Sequence, residues 1–534
     1  MKKKSTALVV LLFSILLLAA CSSGEDSKKE SQNDQSITVN VMTEPPSLDP
    51  ALATDNKSGW ILDHLFEGLY MRDKDGQPVL GAAEDVDISE DRTVYTFTIR
   101  DDAKWADGSP LTAGDFEYAW KRVLNPETGS KMAFYLYYIK NAKAYNNGEV
   151  EADEVGVEAK DDKTLVVELD SPVGYFEEML TFWSYYPVKQ DAVEKDKNWS
   201  ANADTYVGNG PFSLAKWKHD DSVLVEKNDE YFASDEVTLK EIEFAMVDDA
   251  NTYQQMFNAG EFDMIMEIPS SMIETMKDDD RLKTEPYFGT YMYMFNVEKE
   301  PFTNAKIRRA FAMSLNREEL TKYITKAGEE PAFAMIPPGV TTDSGDFRDG
   351  AEPYFEENAA QAKVLLEEGM KEEGWNTLPT VELIYNTDEN HKSIAEAVQE
   401  MIRKNLDVEV KLLNQEWKTF LDTTAQGNYQ IARLGWTGIV LDPVVMLDAY
   451  LGDSPDNETN WLNEDFDRLI EEAKVESDLE KRIKMLHEAE SILMQEMPFI
   501  PVYYYSKTYL TQDRIEDVAY YRNIYPNLKW VKVK

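Results

Sequence analysis

Short runs of alternating apolar and polar residues recur along this chain, interleaved with longer stretches of helical period. Residues 37–42 read as an opening strand. In residues 93–100, Tyr95, Phe97 and Ile99 alternate with Thr96 and Thr98, the period of a half-buried strand. The turn-like Asp161-Asp162-Lys163 leads into a strand at residues 164–169, and Ile242, Phe244 and Met246 alternate in another. The most regular region spans residues 380–436. Strands are expected there at residues 381–385, 408–413 and 429–434. Helices are expected at residues 392–406, with Ile394, Val398, Ile402 and Leu406 on one face, and at residues 416–426. This βαβαβ rhythm predicts an α/β fold, a sheet covered by helices. A long amphipathic helix over residues 479–497 is stopped by Pro498.

The amino-terminal pattern is of a different kind. Lys2, Lys3 and Lys4 precede an apolar run, residues 7–20, broken only by Ser14. A bilayer span needs about 20 apolar residues, so the run reads as a secretory signal. It ends in Leu18-Ala19-Ala20-Cys21, which resembles the lipobox of bacterial lipoproteins, where the cysteine is diacylated and becomes the new amino terminus. Cys21 is the only cysteine, so no intrachain disulfide can form. Residues 22–36 hold no large apolar side chain and read as a polar tether, whose ends random-coil scaling places roughly 20 Å apart. The expected boundaries are a signal peptide at 1–20 and a lipidated tether at 21–36.

Composition narrows the partners. The chain carries 55 basic against 100 acidic residues, a net charge of −45, and removal of residues 1–20 with their three lysines takes it to −48. Nucleic acid and an anionic bilayer surface would both be repelled, which leaves the lipid as the only membrane contact. At 43% apolar and 11% aromatic residues, the chain can bury a large core, and its length suggests about three domains.

The usual catalytic patterns are missing. His64, His219, His391 and His487 form no His-Glu-x-x-His pair, and there is no Cys-x-x-Cys, Gly-x-Ser-x-Gly or Gly-Lys-Ser/Thr motif. Asp73-Lys74-Asp75-Gly76 starts like a calcium loop, but its glycine comes at the fourth position rather than the sixth, so it reads as a surface turn. No metal, cofactor or enzymatic activity is expected.

Several segments resemble the extracellular solute-binding proteins of family 5, specifically the oligopeptide-binding proteins of ABC importers. Ser47-Leu48-Asp49-Pro50 is followed by Leu65-Phe66-Glu67-Gly68-Leu69, then by a run from Phe97 through Arg100 and Trp105 to Gly108. Thr112-Ala113-Gly114-Asp115-Phe116, Trp120, Gly208-Asn209-Gly210-Pro211-Phe212, Asn414 to Asp422 and Pro498 to Tyr505 continue in the family's order to the carboxyl terminus. The resemblance implies a two-lobed, periplasmic-binding-protein-like fold with an extra domain. Domain I would comprise 37–66, 189–288 and 506–534, domain II 67–188, and domain III 289–505, with the ligand between domains I and III. It further implies a monomer that hands oligopeptides to permease subunits.

A binder that tolerates many peptide sequences should read the shared backbone, taking the ligand as an extra strand. The resemblance places that run at Gly435, Trp436 and Thr437, with apolar walls from Trp436 and Trp417. It assigns the peptide carboxylate to Arg433 and His391, with Asn386 as a polar contact. Without the resemblance, both tryptophans would read as core, Arg433 as an ion-pair partner and His391 as a surface residue. Two positions depart from the family. One family arginine is replaced by Thr424. The aspartate that pairs with the peptide ammonium is replaced by Ile439, which cannot compensate a buried charge. Three outcomes remain open: Asp442 or another acid substitutes, the ammonium stays hydrated, or the ligand is not an ordinary free-amine peptide. Rival ligands within the family are dipeptides, signalling or cell-wall peptides, nickel and oligosaccharides; a secreted lipoprotein hydrolase is the rival from another class.

Overall fold

Two long antiparallel strands, Leu282–Phe295 and Phe499–Thr511, form the spine of the molecule. They belong to an eleven-stranded mixed sheet in a computed structural model that describes residues 35–534, apart from 267, 269, 343, 344, 439 and 455 and the side chains of 270, 271, 274, 341 and 418. On one side of the spine the order runs through Ile431–Thr437, Val381–Asn386 and Val410–Gln415. On the other it runs through Met264–Met266, Ser36–Asn40, Glu241–Ala245, Ser222–Lys227 and Phe212–Lys218. The strand pairing slips between Pro286 and Thr290, so the spine is one continuous pair with an irregular middle. The boundaries expected at 288/289 and 505/506 fall within this pair, beside the slip.

A separate four-stranded antiparallel sheet is built from Ala83–Ile88, Val94–Ile99, Thr164–Glu168 and Val157–Ala159. Its second strand buries Tyr95, Phe97 and Ile99 and leaves Thr96 and Thr98 half-buried, as the alternation requires. Behind it lies Ala113–Leu124, whose Thr112 and Asp115 form a capping box.

The βαβαβ unit exists as read, with shifted ends. The helix Glu389–Leu406 buries Ile394, Val398, Ile402 and Leu406, but starts three residues earlier than periodicity suggests. The Asp388 carboxylate accepts hydrogen bonds from the backbone N–H groups of Asn390 (2.8 Å) and His391 (3.0 Å) and so fixes the start. The strands begin at Val410 and Ile431, each two residues later than expected. Met246 falls just outside its strand, which ends at Ala245. The final long helix is Leu479–Glu496; Met497 caps it at φ 53° and Pro498 follows. Asp73 to Gly76 is a turn in which the Asp73 carboxylate accepts from the N–H groups of Asp75 and Gln77, and Gly76 supplies φ +82°.

The carboxyl-terminal segment returns to the helix Asn56–Leu65. Trp60 donates to the Pro526 carbonyl, and fully buried His64 accepts from the Leu528 N–H at 3.0 Å. Since Nε2 accepts, Nδ1 carries the proton and donates to the Trp60 carbonyl at 2.7 Å. Burial lowers the His64 pKa to about 4. Among the described residues no helix is long and apolar enough to cross a membrane.

Candidate functional site

The strands Val410–Gln415, Val381–Asn386 and Ile431–Thr437 are mutually parallel, and their carboxyl ends share one edge of the sheet. In open α/β sheets that is where ligands bind. The pairing here is uneven. Ile431–Thr437 is matched along all seven residues to the spine, from Phe295↔Ile431 to Gly289↔Thr437. Its other side meets the Val381–Asn386 strand only at Leu383↔Ile431 and Ile384↔Ala432. From 433 to 437 that second side is unpaired, and no other described backbone hydrogen bond reaches it. Main-chain N–H and C=O groups are obligate hydrogen-bonding groups, so this stretch is a slot for a further strand.

Arg433 stands at the start of the slot. Its guanidinium lies 4.9 Å from the Tyr291 ring centre and donates to the Tyr505 hydroxyl at 3.2 Å. Among the described residues it has no salt-bridge partner, and its buried Nε has no hydrogen-bond partner. Around it the spine contributes a box of tyrosines. Tyr291 and Tyr503 stack at 4.7 Å, and Tyr505 meets both edge-on. The hydroxyl of Tyr293, opposite Arg433 in the ladder, is also buried without a partner. So are the side-chain oxygens of Asn386 and Gln415, register partners at the ends of their strands. Buried polar atoms are normally paired, and four orphans beside one open edge mark a place built to receive a polar group.

His391, in the first turn of Glu389–Leu406, lies 3.4 Å from the Tyr291 hydroxyl and 3.9 Å from Asp388. Burial, reinforced by the charge of Arg433, lowers its pKa to about 4. Near neutral pH it is therefore uncharged, and Arg433 is the cation of the site.

The glycine of the run has a reason within the fold: a Cβ on Gly435 would sit 2.1 Å from the Tyr505 hydroxyl. Trp436 is half-buried, and its indole N–H donates to the Val445 carbonyl at 3.0 Å, tying the slot to the segment that follows. Thr437 is exposed at the end. Trp417 opens its helix directly after Val410–Gln415, stacks on Phe420 and is 49% exposed. Thr424 is buried and hydrogen-bonded to Glu458 at 3.1 Å, away from the role of an arginine. Asp442 is committed: Arg482 holds both its oxygens at 2.8 and 2.7 Å. Cys21, residues 22–34 of the tether and Ile439 lie outside the described residues; the tether expected to run to 36 ends earlier, because Gln35 donates to the Val533 carbonyl at 2.8 Å and Ser36 opens the strand Ser36–Asn40.

Sequence reading missed the tyrosine box and Gln415. The run Tyr503-Tyr504-Tyr505 and the spacing of Tyr291 and Tyr293 were the available signals.

Residues 77–458 match the family described as bacterial extracellular solute-binding proteins, family 5. The chain belongs to that family. It is 42% identical to the dipeptide-binding protein DppE of Bacillus subtilis over 504 residues, 94% of this chain and 93% of that protein. The unliganded open form of the murein tripeptide-binding protein MppA superposes with a TM-score of 0.83 at 31% identity, covering 94% of this chain and 98% of that one. The substrate-binding domain of an oligopeptide ABC transporter from Bacillus anthracis gives 0.72 at 32% identity, covering 94% and 99%.

Proposed function

We infer that this family 5 protein is the substrate-binding component of an ABC peptide importer and captures oligopeptides without transforming them. The observation that carries this reading is the unpaired main-chain edge at residues 433–437 with an uncompensated guanidinium at one end. A peptide laid along the edge gains backbone hydrogen bonds that any sequence can supply, and its carboxylate meets Arg433. Orphaned polar atoms on Asn386, Gln415 and Tyr293 complete a polar floor, with Trp436 and Trp417 as apolar walls. The names of the relatives, a dipeptide-binding protein and an oligopeptide transporter's binding domain, support the same class of ligand. The likeness to an open, unliganded form supports closure of two lobes about the spine, with domain I at 37–66, 189–288 and 506–534, domain II at 67–188 and domain III at 289–505. Closure follows binding only if the ligand prefers the closed state.

Leu18-Ala19-Ala20-Cys21 and the polar segment after it support an extracellular protein held to the cell membrane by a diacylated cysteine. Cys21→Ser should release the protein into the medium or leave an unprocessed precursor; unchanged membrane fractionation and an unchanged lipid-modified mass would contradict the anchor. Similarity to a murein tripeptide-binding protein favours cell-wall peptide as the second reading. Native mass spectrometry of protein purified from its own cells tests both. Co-purified linear peptide masses support the first, muramyl-derived peptides the second, and a bound sugar or metal neither.

A further inference from the structure

An open edge of five residues can pair with a peptide segment of roughly 17 Å at strand rise, and Arg433 fixes which way that peptide runs. With its carboxylate at Arg433, the peptide has its amino-terminal end at Thr437. The chain leaving Thr437 reaches Leu441 and Asp442, and these two residues line a cavity of about 430 Å³. Ile483, from the helix Leu479–Glu496, belongs to the same lining. The lining also includes Gln77, Tyr175 and Glu177, from a distant part of the chain, and the Arg482 guanidinium lies 5.6 Å from the Tyr175 ring centre.

The lining is mixed in a way that suits peptide rather than lipid or metal. Aliphatic and aromatic surfaces alternate with ion pairs that are already satisfied: Arg482 with Asp442, Arg92 with Glu177 at 2.9 Å, and Glu178 with Arg72 at 2.9 Å. No carboxylate on this lining stands free to ligate a cation. The three carboxylates are matched by three guanidiniums, so the lining is close to neutral and does not repel an ammonium group. The segment between slot and cavity is mechanically tied to both, through Trp436 to Val445 and through Asp442 to Arg482.

We propose that this cavity is an accessory chamber that receives the amino-terminal residues of peptides too long for the edge at residues 433–437. The proposal rests on the peptide reading of that edge. It makes the protein a binder of extended oligopeptides, in which the residues beyond the edge add affinity through a roomy, hydrated space and little sequence selectivity.

The test compares tri-alanine with the octapeptide Ser-Gly-Ser-Gly-Ser-Ala-Ala-Ala, by calorimetric titration of the full-length protein and of two variants that fill the chamber from distant parts of the chain, Gln77→Trp and Ile483→Trp. Wild type should bind both peptides. Each variant should weaken the octapeptide by about tenfold or more, the scale of an overpacked site, and leave tri-alanine within about twofold. Retained tri-alanine binding shows at once that the variants are folded. An octapeptide unaffected by both substitutions, or two peptides weakened alike, overturns the chamber and leaves the slot intact. A wild type that binds neither peptide removes the peptide reading of the slot, and the chamber with it.

Discussion

Arg433 opens the slot, Ile439 follows its last residue by two positions in the sequence, and the two side chains make opposite demands on a ligand. Arg433 is half-buried, with its Nε fully covered and no carboxylate partner among the described residues, so a peptide carboxylate would complete a charge pair in a partly desolvated place. Ile439 offers an ammonium nothing, and Asp442, the nearest acid in sequence, is already held by Arg482. Calorimetry on one peptide should reveal the asymmetry. Arg433→Met should weaken binding by about 2–5 kcal/mol, a loss of thirtyfold or more. Amino-terminal acetylation of the same peptide should cost less than about 1.4 kcal/mol, under tenfold. A hundredfold loss on acetylation would mean that some acid does pair with the ammonium, and Asp442→Asn would be the first variant to make. The family resemblance, not the residues by themselves, singled out Arg433, Gly435, Trp436, Asn386 and His391, and the fold brings these five to one edge of the sheet. The charge state of His391 was not legible, because the neighbour that suppresses its protonation, Arg433, is distant in sequence and adjacent only in the fold.

At the scale of elements, periodicity served wherever one face is buried and the other is wet. Val94–Ile99 and Glu389–Leu406 are such elements, and both were recognisable. The spine was not. From Phe288 to Phe295 every residue is buried, so the strand has no alternation to read, and Pro286 and Pro501 interrupt its pattern. The tyrosine box was hidden for the same reason, since it is carried by the spine. Another element-level device was equally silent: His64, on the helix Asn56–Leu65, fastens the carboxyl-terminal segment through its neutral ring. Its folded pKa of about 4 lies below the unfolded value of about 6.5. The unfolded chain therefore takes up a proton that the folded chain refuses, and stability falls as pH drops from about 6.5 towards 4. The linkage is worth up to about 3 kcal/mol. Urea denaturation across this range should show a steeper loss for wild type than for His64→Asn. Parallel curves would mean that the ring titrates freely in the fold.

The whole molecule joins these parts through two long strands that belong to both halves of the large sheet. The slot lies on one half, at the strand ends beside the irregular middle of the spine, where a change in the angle between halves would be felt first. The chain's strong negative charge gives no long-range attraction for a neutral or acidic peptide, so capture of such a ligand would rest on local groups. The central claim is that a peptide adds itself as a strand to residues 433–437. Amide hydrogen exchange, read residue by residue with and without saturating peptide, tests it most directly. Amides of residues 433–437 facing the open edge should exchange rapidly in the free protein and become strongly protected when peptide binds. Peptide binding that protects other regions and leaves those amides exchanging as before would contradict it.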